Sequence, residues 1–238
     1  MSNAFLFFSV IIPAHNEENY IGKTLVALKG LDYPPNKFEI IIVENGSTDQ
    51  TSSVIAAEAP ASSKILKIAE SGVSRAKNRG IDLLSDSCDW VIFLDADTYF
   101  ASPFLRELNA FLERHAEQNL GSGMASLLPV PDSRIARGWY RFYNIANFLA
   151  VTTRSIQCIR RDLLNDLRYD ESLTFGEDTR MLKESKRRTR HFYLKTRSVF
   201  SSTRRFQQNG WVRQLCSWIY MASLPYEKKK SLRYPPTR

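Results

Sequence analysis

Apolar runs and helical spacings alternate along the first hundred residues. Residues 7–12 (FFSVII) form a nearly unbroken apolar run that Pro13 ends, which predicts a strand buried on both faces. Residues 16–28 carry Ile21, Leu25 and Leu28 at helical spacing, with Asn16 as the expected N-cap. A second apolar run, residues 38–43 (FEIIIV), leads into the turn formers Glu44-Asn45-Gly46-Ser47-Thr48-Asp49. A helix over 51–59 stops before Pro60, a shorter strand covers 64–69, and a helix covers 74–84. Residues 90–94 (WVIFL) read as a fourth buried strand that ends at Asp95-Ala96-Asp97. Strand alternating with helix predicts an α/β fold with a mostly parallel central sheet flanked by helices.

Ligands of such sheets sit beyond the carboxyl ends of the strands. Three polar clusters fall at those ends: residues 13–17, 44–49 and 95–97. No glycine-rich loop follows the first strand, so the dinucleotide-binding fingerprint is missing. Beyond residue 100 the pattern loosens. Helices are expected over 103–118, 139–151, 178–188 and 211–224, and strands over 124–128, 155–159 and 193–200, with a basic tail over 228–238. Neither a repeat nor a flexible linker interrupts the chain.

Composition narrows the class. Of 238 residues, 43% are hydrophobic and 24% charged, which excludes a disordered, collagenous or coiled-coil chain. The longest apolar stretches, residues 5–13 and 142–151, are about half the ~20 residues that span a bilayer. The first lacks the basic start and cleavage site of a signal peptide and reads better as a strand. Cys88, Cys158 and Cys216 are too few and scattered for a disulfide framework or zinc site, so reduced thiols and a cytoplasmic location are expected. The charge is uneven. Residues 1–133 hold 10 Lys and Arg against 17 Asp and Glu, a net −7; residues 134–238 hold 23 against 8, a net +15. A basic second half fits an anionic partner, or else a solvated face.

Two carboxylates two residues apart at a strand end, Asp95 and Asp97, repel each other unless a cation or hydrogen-bond donors relieve them. Oxygen-only ligands suit Mg²⁺ or Mn²⁺, which take one or two protein carboxylates together with phosphate oxygens. The bland alternative is a polar strand end.

Five motifs now fall in a recognisable order. They are Ser9-Val10-Ile11-Ile12-Pro13-Ala14-His15-Asn16-Glu17-Glu18, Ile42-Val43-Glu44-Asn45-Gly46-Ser47-Thr48-Asp49, Gly72-Val73-Ser74-Arg75-Ala76-Lys77-Asn78-Arg79-Gly80, Phe93-Leu94-Asp95-Ala96-Asp97 and Gly176-Glu177-Asp178. Together they resemble the family-2 glycosyltransferases, inverting enzymes with the GT-A fold. The resemblance implies a nucleotide-sugar donor, most often UDP-linked, and a hydroxyl acceptor on a glycan, lipid or small molecule. It implies that Pro13, His15, Asn16 and Glu17 line the base and ribose pocket, with Glu44, Asn45 and Gly46 beside them. Glu44 would accept from the base; its alternative is a solvated turn acid. Arg79 and Asp95 would close the other side, Arg75 would also bind the nucleotide sugar, and Asp97 would hold the metal against the diphosphate. Asp178 is the expected base, with Glu177 orienting it or touching the acceptor; both are also first-turn acids favoured by a helix dipole. Residues 1–100 would then form the nucleotide-binding half, 101–205 the acceptor and catalytic half of the same domain, and 206–238 an amphipathic helix with a basic tail.

The chain departs from the family pattern twice. Gln207-Gln208-Asn209-Gly210-Trp211 stands where many relatives carry Gln/Arg-x-x-Arg-Trp, which argues for single transfers. Arg204 and Arg205 then serve either to neutralise the diphosphate from a mobile loop or as a surface basic pair. Leu167-Arg168-Tyr169-Asp170-Glu171-Ser172 replaces a stretch of small residues. Trp211, Leu215, Trp218, Ile219 and Leu224 beside Lys228-Lys229-Lys230 could lie on the inner face of a membrane, pack on the core, or meet a twin subunit in a homodimer. Two rival functions are weaker. A nucleotidyltransferase lacks its glycine-rich loop here, and a nucleic-acid partner is not expected because stacking aromatics are not interleaved with the basic residues.

Overall fold

The computed structural model describes residues 5–150 and 155–230. The chain begins with β1 (Phe8–Ala14), α1 (Ile21–Lys29), β2 (Phe38–Asn45), α2 (Thr51–Glu58), β3 (Lys64–Ile68), α3 (Val73–Ile81) and β4 (Trp90–Leu94). The middle holds β5 (Thr98–Phe100), α4 (Phe104–Arg114), β6 (Leu120–Ala125), β7 (Leu128–Val130), α5 (Arg134–Ala150) and β8 (Ile156–Arg160). It continues with α6 (Glu177–Lys186), β9 (Arg190–Leu194), β10 (Val199–Ser202), α7 (Arg204–Asn209), α8 (Trp211–Ser223) and α9 (Tyr226–Lys230).

Seven strands make one sheet in the order β3-β2-β1-β4-β8-β6-β9. β1 lies parallel to β2 and β4; β8 runs antiparallel to β4 and β6; β6 is parallel to β9. The apolar runs are continuous because the sheet is covered on both faces. Val10 and Ile12 of β1 pack in one core layer with Leu25 of α1 and Phe104 of α4, while Ile11 packs in the other with Ala76 of α3 and Met181 of α6. Side chains alternate across a strand, so only an unbroken run feeds both layers. β3 has no buried residue, as an edge strand allows. At Gly80 a Cβ would come within 2.4 Å of the Ile11 side chain, so α3 rests on β1 at a distance only glycine permits.

Three expectations need correction. α1 starts at Ile21, not at Asn16, which sits at φ 55 in the loop. The strand expected over 193–200 is two strands: β9 ends the large sheet, and β10 pairs with β5 and β7 in a separate three-stranded sheet. The strand expected over 124–128 is likewise split between β6 and β7. Residue 151, at the end of the expected helix over 139–151, and residues 231–238 of the basic tail lie outside the described residues. Among the described residues, no helix is long and apolar enough to cross a membrane.

Candidate functional site

The tips of β1, β2 and β4 build one side of the site. Asn45 ties β2 to β1 and to the start of α3: its Nδ2 donates to the Ala14 carbonyl at 2.9 Å, and its Oδ1 accepts from the Gly72 N–H at 2.9 Å. His15 Nδ1 lies 2.8 Å from the Asn45 carbonyl oxygen. A carbonyl only accepts, so the imidazole proton sits on Nδ1. Asn16 Oδ1 accepts from the Thr48 N–H at 2.8 Å, so this left-handed asparagine clasps the second turn. Gly46 has φ +70, and a Cβ there would lie 2.6 Å from the Ala69 carbonyl oxygen.

Glu44 is 5% exposed. One of its oxygens accepts from the Ser47 N–H at 2.6 Å and the other from the Ser52 hydroxyl at 3.1 Å. Its carboxylate therefore holds the turn between β2 and α2.

The acids after β4 meet the start of α7. Arg204 is buried, and its guanidinium grips Glu17 with two bonds of 2.7 and 2.5 Å. Its Nε stands 3.0 Å from an Asp97 oxygen, and the guanidinium lies 4.5 Å over the Tyr20 ring. Burial pushes the Glu17 carboxyl up to about 7, against the opposing pull of Arg204. Burial and the neighbouring Asp97 also raise Asp95.

A second cluster forms where α3 meets α6. Lys77 is 2% exposed, and its ammonium donates to Asp178 Oδ1 at 2.6 Å and to Glu177 Oε1 at 3.4 Å. It also lies 4.8 Å over the Tyr169 ring. Burial alone would lower its pKa; the carboxylates of Asp178, Glu177 and Asp95 outweigh burial and raise it, so the lysine stays charged. Glu177 is raised by burial and by Asp178. Both acids occupy the first turn of α6, which Gly176 opens at φ 85. Gln157 Nε2 donates to the Asp178 carbonyl at 3.2 Å, and Tyr169 donates to Gln157 Oε1.

These clusters open into one hollow of about 1430 Å³. Pro13, His15, Glu17, Asn45, Arg75, Asp95, Asp97, Glu177, Asp178, Arg204 and Arg205 all line it. Asn16, Glu44, Gly46 and Arg79 are not in its wall. The first three shape the turns behind it, and Arg79 is largely exposed, 3.8 Å from Asp82. Tyr140, Tyr143, Trp218 and Tyr226 supply the opposite wall. Sequence reasoning missed Lys77, although it sits inside the third motif between Arg75 and Arg79. Its signal was a lysine among the apolar and small positions of a helix that packs on a buried sheet.

The fit to a divalent metal follows from the donor set. Among the described residues no group of three or more His, Cys, Asp or Glu could hold a metal. Asp95 and Asp97 nevertheless offer hard carboxylate oxygens. One or two of these, completed by phosphate oxygens, suffice for Mg²⁺ or Mn²⁺. The residues fit a metal that arrives with a diphosphate, with Arg204 as the present partner of Asp97.

Known proteins resemble this chain in sequence and in fold. The poly(ribitol-phosphate) beta-N-acetylglucosaminyltransferase TarS of Staphylococcus aureus strain MW2 is 28% identical over 176 residues, covering 72% of this chain and 31% of that protein. The minor teichoic acid biosynthesis protein GgaA of Bacillus subtilis strain 168 is 27% identical over 192 residues, covering 72% of this chain and 41% of that protein. The chain thus spans well under half the length of either relative. Among solved structures, S. aureus TarS 1-349 in complex with UDP-GlcNAc superposes with a TM-score of 0.69 at 22% identity, over 84% of this chain and 59% of that one. The mannosyltransferase PcManGT from Pyrobaculum calidifontis, in complex with GDP-Man and Mn²⁺, gives 0.65 at 19% identity, over 95% and 68%. Those likenesses establish the GT-A fold. The model of glycosyl transferase family 2 matches residues 9–160, more than half of the chain, and the chain belongs to that family.

Proposed function

We propose that this domain transfers a sugar from a nucleotide-sugar donor, UDP-linked, to a hydroxyl acceptor in a single metal-dependent inverting step. The observation that carries this reading is the shared hollow: the strand-end acids Asp95 and Asp97 and the Lys77-held Asp178 face the same space. A donor diphosphate beside Asp97 would lie within reach of Arg75 and Arg205, which line that space. Asp97, with Asp95 beside it, would hold Mg²⁺ or Mn²⁺, which when bound neutralises charge on the diphosphate.

Asp178 acts as the base. Lys77 occupies its Oδ1, which leaves Oδ2 for the acceptor hydroxyl. The hydroxyl proton passes to Asp178 as the acceptor oxygen bonds to the anomeric carbon. The bond from that carbon to the diphosphate oxygen breaks on the opposite side, and one such displacement inverts the centre. The charged ammonium beside Asp178 fixes the position of its carboxylate at the start of α6. His15 and Asn45 at the strand tips serve the nucleoside end, while the aromatic wall of Tyr140, Tyr143 and Trp218 faces the acceptor side.

A thermal-shift panel of UDP-GlcNAc, UDP-glucose and GDP-mannose, each with and without Mn²⁺, tests donor binding. A ligand that binds only the native state raises the melting temperature by mass action. The expected result is a rise with a UDP sugar that grows with Mn²⁺. Silence across the whole panel, metal included, would remove the donor assignment. Asp178→Asn should keep the donor-induced shift and lose transfer; full transfer by that variant would remove Asp178 as the base.

A further inference from the structure

Helix α5 is apolar on two opposite sides. Ala136, Tyr140, Tyr143 and Asn147 face inward and are buried. Ile135, Phe142, Ile145 and Leu149 recur at a spacing that puts them on the other side, where they are 62, 50, 53 and 73% exposed. Helix α8 lies alongside: Trp211 stacks on Trp139 at 5.8 Å, and Trp218 meets Tyr143 edge-on at 5.6 Å. The tryptophans of α8 thus turn toward the protein, and its outward apolar residues are Val212, Ile219 and Tyr220. An exposed apolar stripe of this kind marks a surface that is covered in use.

Charge selects what covers it. Neither α5 nor α8 contains an Asp or Glu. Arg134, Arg137 and Arg141 are exposed along α5, Arg213 along α8, and Lys228 and Lys230 along α9. A second copy of this chain would bring the same arginines against one another, which opposes self-association. A bilayer surface with anionic headgroups matches both features, since it accepts the apolar side chains and pairs with the basic ones.

We propose that the outward faces of α5 and α8 dock the protein on an anionic membrane surface. Trp218 of α8 and Tyr140 and Tyr143 of α5 line the catalytic hollow from within. Docking therefore sets the acceptor wall of the hollow next to the lipid headgroups. The proposal stands independently of which donor or acceptor the enzyme uses.

Co-sedimentation of the full chain with lipid vesicles tests it. One set is pure phosphatidylcholine; the other mixes phosphatidylcholine and phosphatidylglycerol at about 3:1, an anionic surface. The chain should sediment with the anionic vesicles and release as salt rises, and bind the neutral ones at least tenfold more weakly. Ile145→Glu/Leu149→Glu should cut anionic-vesicle binding at least tenfold, with an unchanged thermal melt and an unchanged donor-induced shift. Arg134→Gln/Arg137→Gln/Arg141→Gln should weaken binding and flatten its salt dependence. Failure to bind either vesicle, or binding that both variants leave intact, overturns the proposal. So does a dimer, seen by light scattering, that Ile145→Glu/Leu149→Glu converts to monomer.

Discussion

Lys77 is a buried cation whose cost is met by the two acids it faces. A buried ion stripped of its partner is strongly destabilising, whereas removing the whole pair is nearly neutral. Lys77→Met should therefore lower stability by roughly 3 kcal/mol, and Lys77→Met/Asp178→Asn should recover most of that loss. Thermal unfolding of the four members of the cycle measures the coupling; simple additivity would show that the pair does not act as a unit. Lys77→Arg keeps the charge and should retain more transfer than Lys77→Met. His191 gives a separate expectation in pH. Burial, helped by Lys186, lowers its pKa from 6.5 to about 4. Its ring nitrogen lies 3.3 Å from the Ser122 hydroxyl. Between these values the unfolded chain binds a proton there and the folded one does not. Its contribution is thus complete above pH 6.5 and is lost as pH falls toward 4. The full effect is on the order of 3 kcal/mol. His191→Gln should lose less melting temperature than the wild type across that window; parallel curves would dissociate His191 from the acid sensitivity.

At the scale of elements, the turn between β2 and α2 depends on Glu44. Both its oxygens are occupied by Ser47 and Ser52, so Glu44→Ala leaves a partly buried N–H without its acceptor and should cost about 1 kcal/mol. Donor affinity of Glu44→Gln, read from the thermal-shift panel, separates a turn residue from a base-reading one: a turn residue leaves the UDP-sugar shift close to that of the wild type. The second motif was legible as a motif, but the direction of its first acid was not. Spacing places a side chain at a strand end without choosing between the hollow and the turn behind it. Strands β1, β2 and β4 were legible because burial on both faces leaves an unbroken apolar run. In the stretch over 193–200 the polar run Lys195-Thr196-Arg197-Ser198 marks where the chain leaves β9 for β10, but a polar run alone does not tell a break from an exposed strand. Only the pairing with β5 and β7, set by the tertiary fold, divides it. Likewise Trp211 and Trp218 read as one apolar face of α8, and only the aromatic cluster around Phe206 shows which way they turn.

Across the whole molecule, the site is held by contacts between distant parts of the chain, which is why their partners could not be read from spacing. Lys77 and Asp178 are 101 residues apart, and Glu17 and Arg204 are 187 apart. The Arg204 clamp has a consequence for the fold at large. It fastens the start of α7, and through it α8 and α9, to the loop after β1. Glu17, Asp97 and the Tyr20 ring all meet one guanidinium, whose planar fork suits a two-pronged carboxylate contact better than a lysine would. Loss of the clamp should loosen the C-terminal helices before the sheet, because segments open locally at a free energy below that of global unfolding. Arg204→Gln is therefore expected to raise chymotryptic cleavage after Phe206 by at least about tenfold, a loss of about 1.4 kcal/mol in local stability. The sheet should melt close to the wild-type temperature. Arg204→Lys, which keeps the charge and loses the fork, should fall between the two. A cleavage rate unchanged in Arg204→Gln would show that the aromatic packing of Phe206 and Trp211 alone holds those helices in place.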